Sequence, residues 1–379
     1  MNTFVSLQAM LPLFVAFCFA FALTTAATAA QSAKKLVEFG WDEPDTEFIR
    51  EHIAQMRQTP FDGTVFHVNY SKEGKRGNFA WEAWGTNVFS RADVSEAIED
   101  LKQTDLGQFN QNFLRFNTTP ARLDWFDDYS AVIQNAKLAA EIARESRCPG
   151  ILFDIEQYEG SLFDYRRQRD AADKSKSREQ TQKSWELYAA QARQRGRELM
   201  QAFQEGHPDP VIFLTFGYSL LWSESSRGRI SLAECHYGLL APFLDGMLLA
   251  AQGKTRFVDG HEISYGWKTP EQFAAGYKTM KLDLLPIVLD AEKYHEFFSF
   301  SFGLWIDRDW RKLGWDIENP DKNYFSPETF ETATRAALQQ SDRYVWIYSE
   351  TPRWWSKEGT AVKLPDAYAK ALRRAKGDR

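Results

Sequence analysis

Eight times along this chain a short apolar run is followed by a longer stretch with helical periodicity, and that alternation constrains the fold more than any other feature. The predicted strands are Leu36 to Asp42, Thr64 to Asn69, Asn112 to Asn117, Gly150 to Tyr158, Val211 to Tyr218, Gly246 to Gln252, Phe298 to Asp307 and Tyr344 to Glu350. Between them lie predicted helices such as Thr46 to Gln58, Ala92 to Lys102, Tyr129 to Glu145, Arg178 to Phe203, Leu232 to Ala241, Pro270 to Lys281 and Pro327 to Gln340. Ser326-Pro327-Glu328 has the chemistry of a helix start, with a hydroxyl to cap the free N–H groups and proline at the first turn. Strands separated by helices pair in parallel, and eight such units close into a (β/α)8 TIM barrel with loop insertions after the strands. One domain over residues 31–379 suffices, with no internal repeat and no low-complexity linker. Two segments exceed the minimal barrel: the charged excursion Glu159 to Gln182, and Asp283 to His295, which reads as a strand or a short helix. If the latter is a strand, the count shifts by one.

The first thirty residues read as a signal peptide: Leu11 to Leu23 is mostly apolar, and small residues run on to Ala30. The expected location is therefore periplasmic or secreted, with no stable membrane association once the leader is cut. Met1-Asn2-Thr3 lacks the usual basic residue, which leaves an uncleaved anchor as the minor reading. Of three cysteines, Cys148 and Cys235 remain after cleavage and read as two buried thiols rather than a disulfide scaffold. A net charge of -6 argues against nucleic acid as a partner. Aromatic residues make up 15% of the chain, including 13 Trp; most read as core, but indole faces in a cleft are also how proteins grip sugar rings. There is no phosphate-binding glycine loop, nucleophile elbow or zinc signature, so neither cofactor nor metal is expected. A monomer acting on a carbohydrate is the expectation.

In a barrel the chemistry sits where the strands end. Asp42 ends the first predicted strand, His67 and Asn69 the second, Arg115 and Asn117 the third, and Asp154, Glu156 and Tyr158 the fourth. Tyr218 closes the fifth and Gln252 the sixth; Trp305 and Asp307 close the seventh, and Trp346, Tyr348 and Glu350 share one parity at the eighth. The fourth strand is the most informative. Leu152, Asp154 and Glu156 share one face, while Ile151, Phe153 and Ile155 form a wholly apolar second face. Carboxylates with aromatics suggest glycosidic chemistry, in which one carboxylic acid protonates the leaving oxygen and a second group attacks or activates water. Glu156 is the expected acid, its proton affinity raised by burial and by Asp154. Asp154 is expected to orient it, and an ion pair between these acids and Arg115 is the structural alternative.

Gly150-Ile-Leu-Phe-Asp154-Ile-Glu156 resembles the fourth-strand signature of family 18 glycoside hydrolases, the chitinases and endo-N-acetylglucosaminidases, in which Asp-Gly-x-Asp-x-Asp-x-Glu ends in the catalytic acid. The resemblance implies that Glu156 is the acid, that Asp154 holds a substrate acetamido group, and that Trp346 floors the sugar pocket. Pro149 and Leu152 stand where that family has its first two Asp residues, and Met247-Leu-Leu-Ala-Ala-Gln252 stands in place of its Met-x-Tyr-Asp. The chain also resembles the large clan of retaining barrel hydrolases with an acid after strand four and a nucleophile after strand seven, which implies Asp307, or Glu350, facing Glu156; Ile155 replaces that clan's Asn. The reading is a divergent barrel hydrolase. Two alternatives remain open: a metal-dependent hydrolase using His67, Asn69, Asp154, Glu156 and Asp307, and a non-catalytic carbohydrate-binding barrel. Trp354-Trp355 reads equally as a sugar platform or a hydrophobic lid, and Gly74-Lys75-Arg76-Gly77 as a solvated turn or a contact for an acidic sugar.

Overall fold

A computed structural model describes residues 34–119, 122–158, 161–175, 183–355 and 362–377. The signal peptide assigned to residues 1–30 lies outside the described residues. Strands β1 (Lys35–Gly40), β2 (Gly63–Phe66), β3 (Phe113–Asn117), β4 (Gly150–Asp154), β5 (Val211–Leu214) and β6 (Arg256–Asp259) pair in sequence order, all parallel. β7 comes in two pieces, Phe298–Phe300 beside β6 and Phe302–Trp305 beside β8 (Tyr344–Ser349), and β8 returns to β1. The nine strand segments therefore occupy eight staves of one ring, which passes from β6 to β8 through the single residue Ser301. This is the predicted (β/α)8 barrel.

Side-chain alternation sorts each strand into an inner and an outer face. Val37, Phe39, Val65, Phe113, Leu152, Phe213, Val258, Tyr344 and Trp346 fill the interior as one cluster. Leu36, Phe66, Leu114, Ile151, Phe153, Ile212 and Phe257 point outward into the larger core shared with the helices. The parity read for the fourth strand holds: Leu152 is inside, and Ile151 and Phe153 are outside. Several helices start as their sequence dictates. Asp45 accepts the N–H of Phe48 (2.8 Å) at the head of Thr46–Met56, and Ser326 caps Pro327–Gln340 by accepting the N–H of Thr329 (3.2 Å).

The sixth strand is not where the apolar run places it. Gly246 to Gln252 belongs to the helix Leu240–Ala250, and the strand is the four-residue Arg256–Asp259. Leu240 through Leu248 are all buried, so no polar face marks the helical period. The burial follows from a close backbone crossing with the helix Trp185–Gly206: a Cβ on Gly246 would stand 1.9 Å from the Arg193 carbonyl oxygen, and one on Gly196 2.0 Å from that of Phe243. Asp283 to His295 holds no strand; it contains the turn Leu285–Ile287 and most of the helix Ala291–Phe297, so the count of eight stands. Leu232 to Ala241 reduces to a turn at Leu232–Glu234 before the helix at Leu240. Residues 69–78 after β2 form a hairpin, Asn69–Lys72 with Lys75–Asn78, whose tip carries the basic residues. In the charged excursion, Tyr165–Ser175 is helical, and the parts at 159–160 and 176–182 lie outside the described residues. Cys148 and Cys235 are buried and unpaired with each other. No described helix is long and apolar enough to cross a membrane.

Candidate active site

Where the strands end, a cleft of about 820 Å³ opens, lined by residues that include Phe39, Trp41, Glu43, His67, Trp81, Arg115, Thr119, Asp154, Glu156, Tyr158, Thr215, Glu262, Tyr265, Trp305, Tyr348 and Glu350. A larger hollow of about 1270 Å³ lies at the opposite end, bounded by strand starts such as Val211, Arg256 and Tyr344. The cleft has two chemically different halves.

In the first half every charge has an opposite. Arg115 on β3 donates from Nη1 to Glu43 Oε2 (2.7 Å), from Nη2 to Asp154 Oδ2 (2.6 Å) and from Nε to Asn117 Oδ1 (2.8 Å). His67 Nδ1 lies 3.1 Å from the other oxygen of Glu43. Burial alone would raise the Glu43 pKa, but Arg115 and then His67 outweigh it and hold this carboxyl below its ordinary value. The ion pair anticipated between Arg115 and Asp154 is thus present, and Glu156 is not part of it.

In the second half two carboxyls meet. β4 stops at Asp154, whose Oδ1 accepts the backbone N–H of Glu156 (3.1 Å) and so turns the chain out of the sheet. The Glu156 backbone oxygen accepts from the Thr119 hydroxyl (2.5 Å), and the N–H of Gln157 donates to Tyr237 (2.9 Å), which fixes the loop on both sides of Glu156. Its carboxyl is hydrogen-bonded to that of Glu262, and Tyr265 donates its hydroxyl to Glu262 Oε1 (2.9 Å). Burial first, then the negative charges of Glu262 and Asp154, push the Glu156 pKa far above the carboxylate range, while Arg115 pulls weakly the other way. Glu262 is also raised, chiefly by burial. Two carboxyls in hydrogen-bond contact hold one proton between them.

Glu262 reaches this position through a strained turn. His261, just after β6, has φ 49° and ψ 57°, a left-handed conformation that costs a residue with a Cβ roughly 1–2 kcal/mol. Aromatic residues wall the cleft. Trp41 and Tyr158 are 68% and 62% exposed, Tyr265 stacks on Tyr348 at 5.4 Å, and the Tyr348 hydroxyl accepts from the Trp41 indole (3.0 Å) and donates to Glu350 Oε1 (3.1 Å).

Of the residues expected from sequence, the structure brings His67, Arg115, Asp154, Glu156, Tyr158, Trp305, Tyr348 and Glu350 to the cleft wall. The others lie elsewhere. Asp307 caps the eighth loop, accepting from the Trp305 indole (2.9 Å) and the backbone N–H groups of Glu350 (3.0 Å) and Thr351 (2.8 Å). Asp42 accepts from the Trp354 N–H (2.7 Å), Asn69 donates to Asp45 (3.0 Å), and Asn117 supports Arg115. Tyr218 is buried against Asp245, and Trp346 belongs to the barrel interior, with its indole donating to Gly260 O (2.8 Å). Gln252 sits before β6, at the strand-start end, where its N–H donates to Gln204 (2.9 Å). Trp355 is buried and donates to Asp42 O (2.9 Å), and Trp354 packs on Phe61, so the tandem pair is a cover over the core and not part of the cleft. Sequence reading missed Glu262, Tyr265, Glu43, Trp41 and Trp81. Glu262 and Tyr265 follow a strand of four residues, and the only sequence cue for it was the short run Phe257-Val258 before Asp259-Gly260. Among the described residues no group of three or more His, Cys, Asp or Glu is arranged to hold a metal ion.

Fold and site together define a parallel (β/α)8 barrel with an acidic, aromatic-walled cleft at the carboxyl ends of its strands. No protein-family model matches the sequence and no curated protein matches it. Among solved structures, the chain is similar to a GH18 chitinase from Pseudoalteromonas aurantia (11% identity, 89% of this chain and 99% of that one, TM-score 0.40). It is similar as well to a GH5-4 broad-specificity endoglucanase from an uncultured bacterium (12%, 88% and 86%, TM-score 0.46) and to GH5_18 from Streptomyces cattleya in complex with GlcNAc (12%, 92% and 82%, TM-score 0.45). These likenesses are distant; the barrel rests on its own strand pairing and the site on its own geometry.

Proposed function

We propose that this chain is a glycoside hydrolase in which Glu156 is the general acid and Glu262 the second carboxylate. The observation that carries the reading is the hydrogen-bonded Glu156–Glu262 pair, half open to a cleft walled by exposed indole and phenol rings. Burial and the neighbouring charges keep a proton on Glu156 near neutrality, as a general acid needs. Glu262, ionised while Glu156 is protonated, attacks the sugar carbon as the leaving oxygen takes the proton. A pair in hydrogen-bond contact is far from the roughly 6.5–9.5 Å that inversion needs to admit a water; retention through a glycosyl-enzyme asks the two carboxyls to part only to roughly 5–5.5 Å around the bound sugar. Asp154 holds Arg115 and the Glu156 backbone through its two oxygens, which supports a positioning role for it and makes it a poor partner for a substrate acetamido group. The substrate is a poly- or oligosaccharide, met outside the cytoplasm after the leader is removed; the apolar run Leu11 to Leu23 supports that placement.

Leaving-group dependence tests the assignment. A dinitrophenyl glycoside leaves without a proton, so Glu156→Gln should retain most of its glycosylation rate on that substrate and lose about 10³-fold on an unactivated oligosaccharide. Glu262→Gln should lose activity on both. Equal losses of Glu156→Gln on both substrates remove it as the acid.

A further inference from the structure

Glu262 owes its place to the residue before it, and that residue is held from every side. The His261 N–H donates to Asp259 Oδ1 (3.0 Å), which also accepts from the Gly217 N–H (3.1 Å) and the Ser219 hydroxyl (3.2 Å), tying the end of β6 to the loop after β5. The Trp346 indole clamps Gly260 O (2.8 Å) from inside the barrel. On the far side, the Ser264 N–H donates to His261 O (2.9 Å), and the Ser264 hydroxyl lies between His261 O (2.7 Å) and Gly303 O (2.9 Å) while accepting the Gly303 N–H (3.1 Å). The His261 ring is 3% exposed, packed edge-on to Trp267 and Phe302, and neither of its nitrogens has a hydrogen-bond partner among the described residues. Burial lowers its pKa to about 3, so the ring is a neutral, apolar filler at ordinary pH. Its chemistry explains nothing about the site; its backbone does. A left-handed residue at this point reverses the chain over one peptide, and the next side chain, Glu262, reaches the cleft instead of continuing up from the strand. Strain kept at one residue beside a reacting group, and over-determined by its surroundings, is what positioning looks like in a backbone.

We propose that His261 is a positioning residue: its left-handed backbone, clamped by Asp259, Trp346 and Ser264, sets the Glu262 carboxyl in hydrogen-bond contact with Glu156. The inference rests on the reading of that pair as the reacting groups. The groups that bear on Glu262 are Glu156, Asp154 and Tyr265, and none of them is altered by a change at His261.

The test is a rank order. Glycine, and to a lesser degree asparagine, enter the left-handed region readily; alanine does so reluctantly and valine hardly at all. If backbone conformation is the function, activity runs His261→Gly and His261→Asn near wild type, His261→Ala lower, His261→Val lowest. The valine variant should lose about 100-fold in kcat, the size expected when a reacting group is misplaced by about 1 Å. KM should change by less than about threefold, because the aromatic walls stay in place. A side chain that only fills space gives the reverse order, valine best and glycine worst, because the lost volume then decides. If the valine variant does not fold, glycine above alanine still supports the proposal and alanine at or above glycine overturns it. Carbon-13 NMR titration of the glutamate carboxyls, with Glu262→Gln as the assignment control, reads the pair without any substrate. The upper titration should fall toward the ordinary carboxylate range in His261→Val and stay in His261→Gly. An unmoved upper titration in His261→Val contradicts the positioning role. Full activity in Glu156→Gln contradicts the reading of the pair and leaves the titration to decide the role of His261.

Discussion

Two pairs of carboxyls are built into this barrel, and what covers them is the difference. Glu38 points out of β1, opposite in parity to the interior residues Val37 and Phe39, and meets Asp42 beneath the tandem tryptophans. It is fully buried; the Thr64 hydroxyl donates to it (2.6 Å), and the Trp354 N–H and Trp355 indole close over Asp42. Glu156 and Glu262 form a second pair, with the same shared-proton chemistry, on the wall of an open cleft. In both pairs burial is the first cause of the raised pKa. A displaced proton affinity therefore marks burial, and access to a cleft is what separates a reacting pair from a structural one.

The largest loss is expected where buried charges are compensated. Arg115→Met leaves Glu43 and Asp154 buried without their cation, and a loss of about 3–5 kcal/mol in unfolding free energy is expected at pH 7. Urea unfolding checks it, and a loss below about 1 kcal/mol would mean that those acids take up protons at little cost. A smaller effect is expected at Asp259, another sealed carboxyl, whose pKa burial pushes up to about 6. The folded chain then holds this proton more tightly than the unfolded one. The stability it contributes is complete below about pH 4 and is lost as the pH rises through about 6, amounting to roughly 3 kcal/mol. Asp259→Asn should flatten that slope in melts recorded from pH 4 to 7; an unchanged slope assigns it to other groups.

How far the sequence carried follows from particular residues. The β4 strand was legible because its period of two is clean, with Ile151 and Phe153 outside and Leu152 inside, so Glu156 was found without a structure. Its partner was not. β6 is four residues long and follows a helix so buried that its apolar run outweighed the strand, which moved the expected sixth-strand end from the Asp259–Glu262 region to Gln252. Asp307 and Glu350 were legible as strand-end acids, but sequence spacing says nothing about which backbone N–H groups a carboxylate will cap, and Asp307 is taken up by two of them. At β1 the expected acid was Asp42, and the cleft receives its neighbour Glu43 instead. The strand ends at Gly40, and Asp42 turns away to its hydrogen bonds with Trp354 and Glu38. Local pattern fixes the staves; the loops that bring one stave's acid against another's are set by tertiary packing.

One measurement bears most directly on the contrast between the open and the sealed pair: release of reducing ends from a panel of neutral oligosaccharides by wild type, Glu38→Gln and Glu156→Gln, prepared side by side. In Glu38→Gln the amide supplies an N–H donor to Asp42 where the protonated carboxyl supplied an O–H, so the fold and the rate should match wild type within about twofold. Glu156→Gln should fold as well as wild type and be slower by about 10³-fold. Equal rates for Glu156→Gln and wild type, or a loss in Glu38→Gln as large as that in Glu156→Gln, contradict the assignment of chemistry to the open pair.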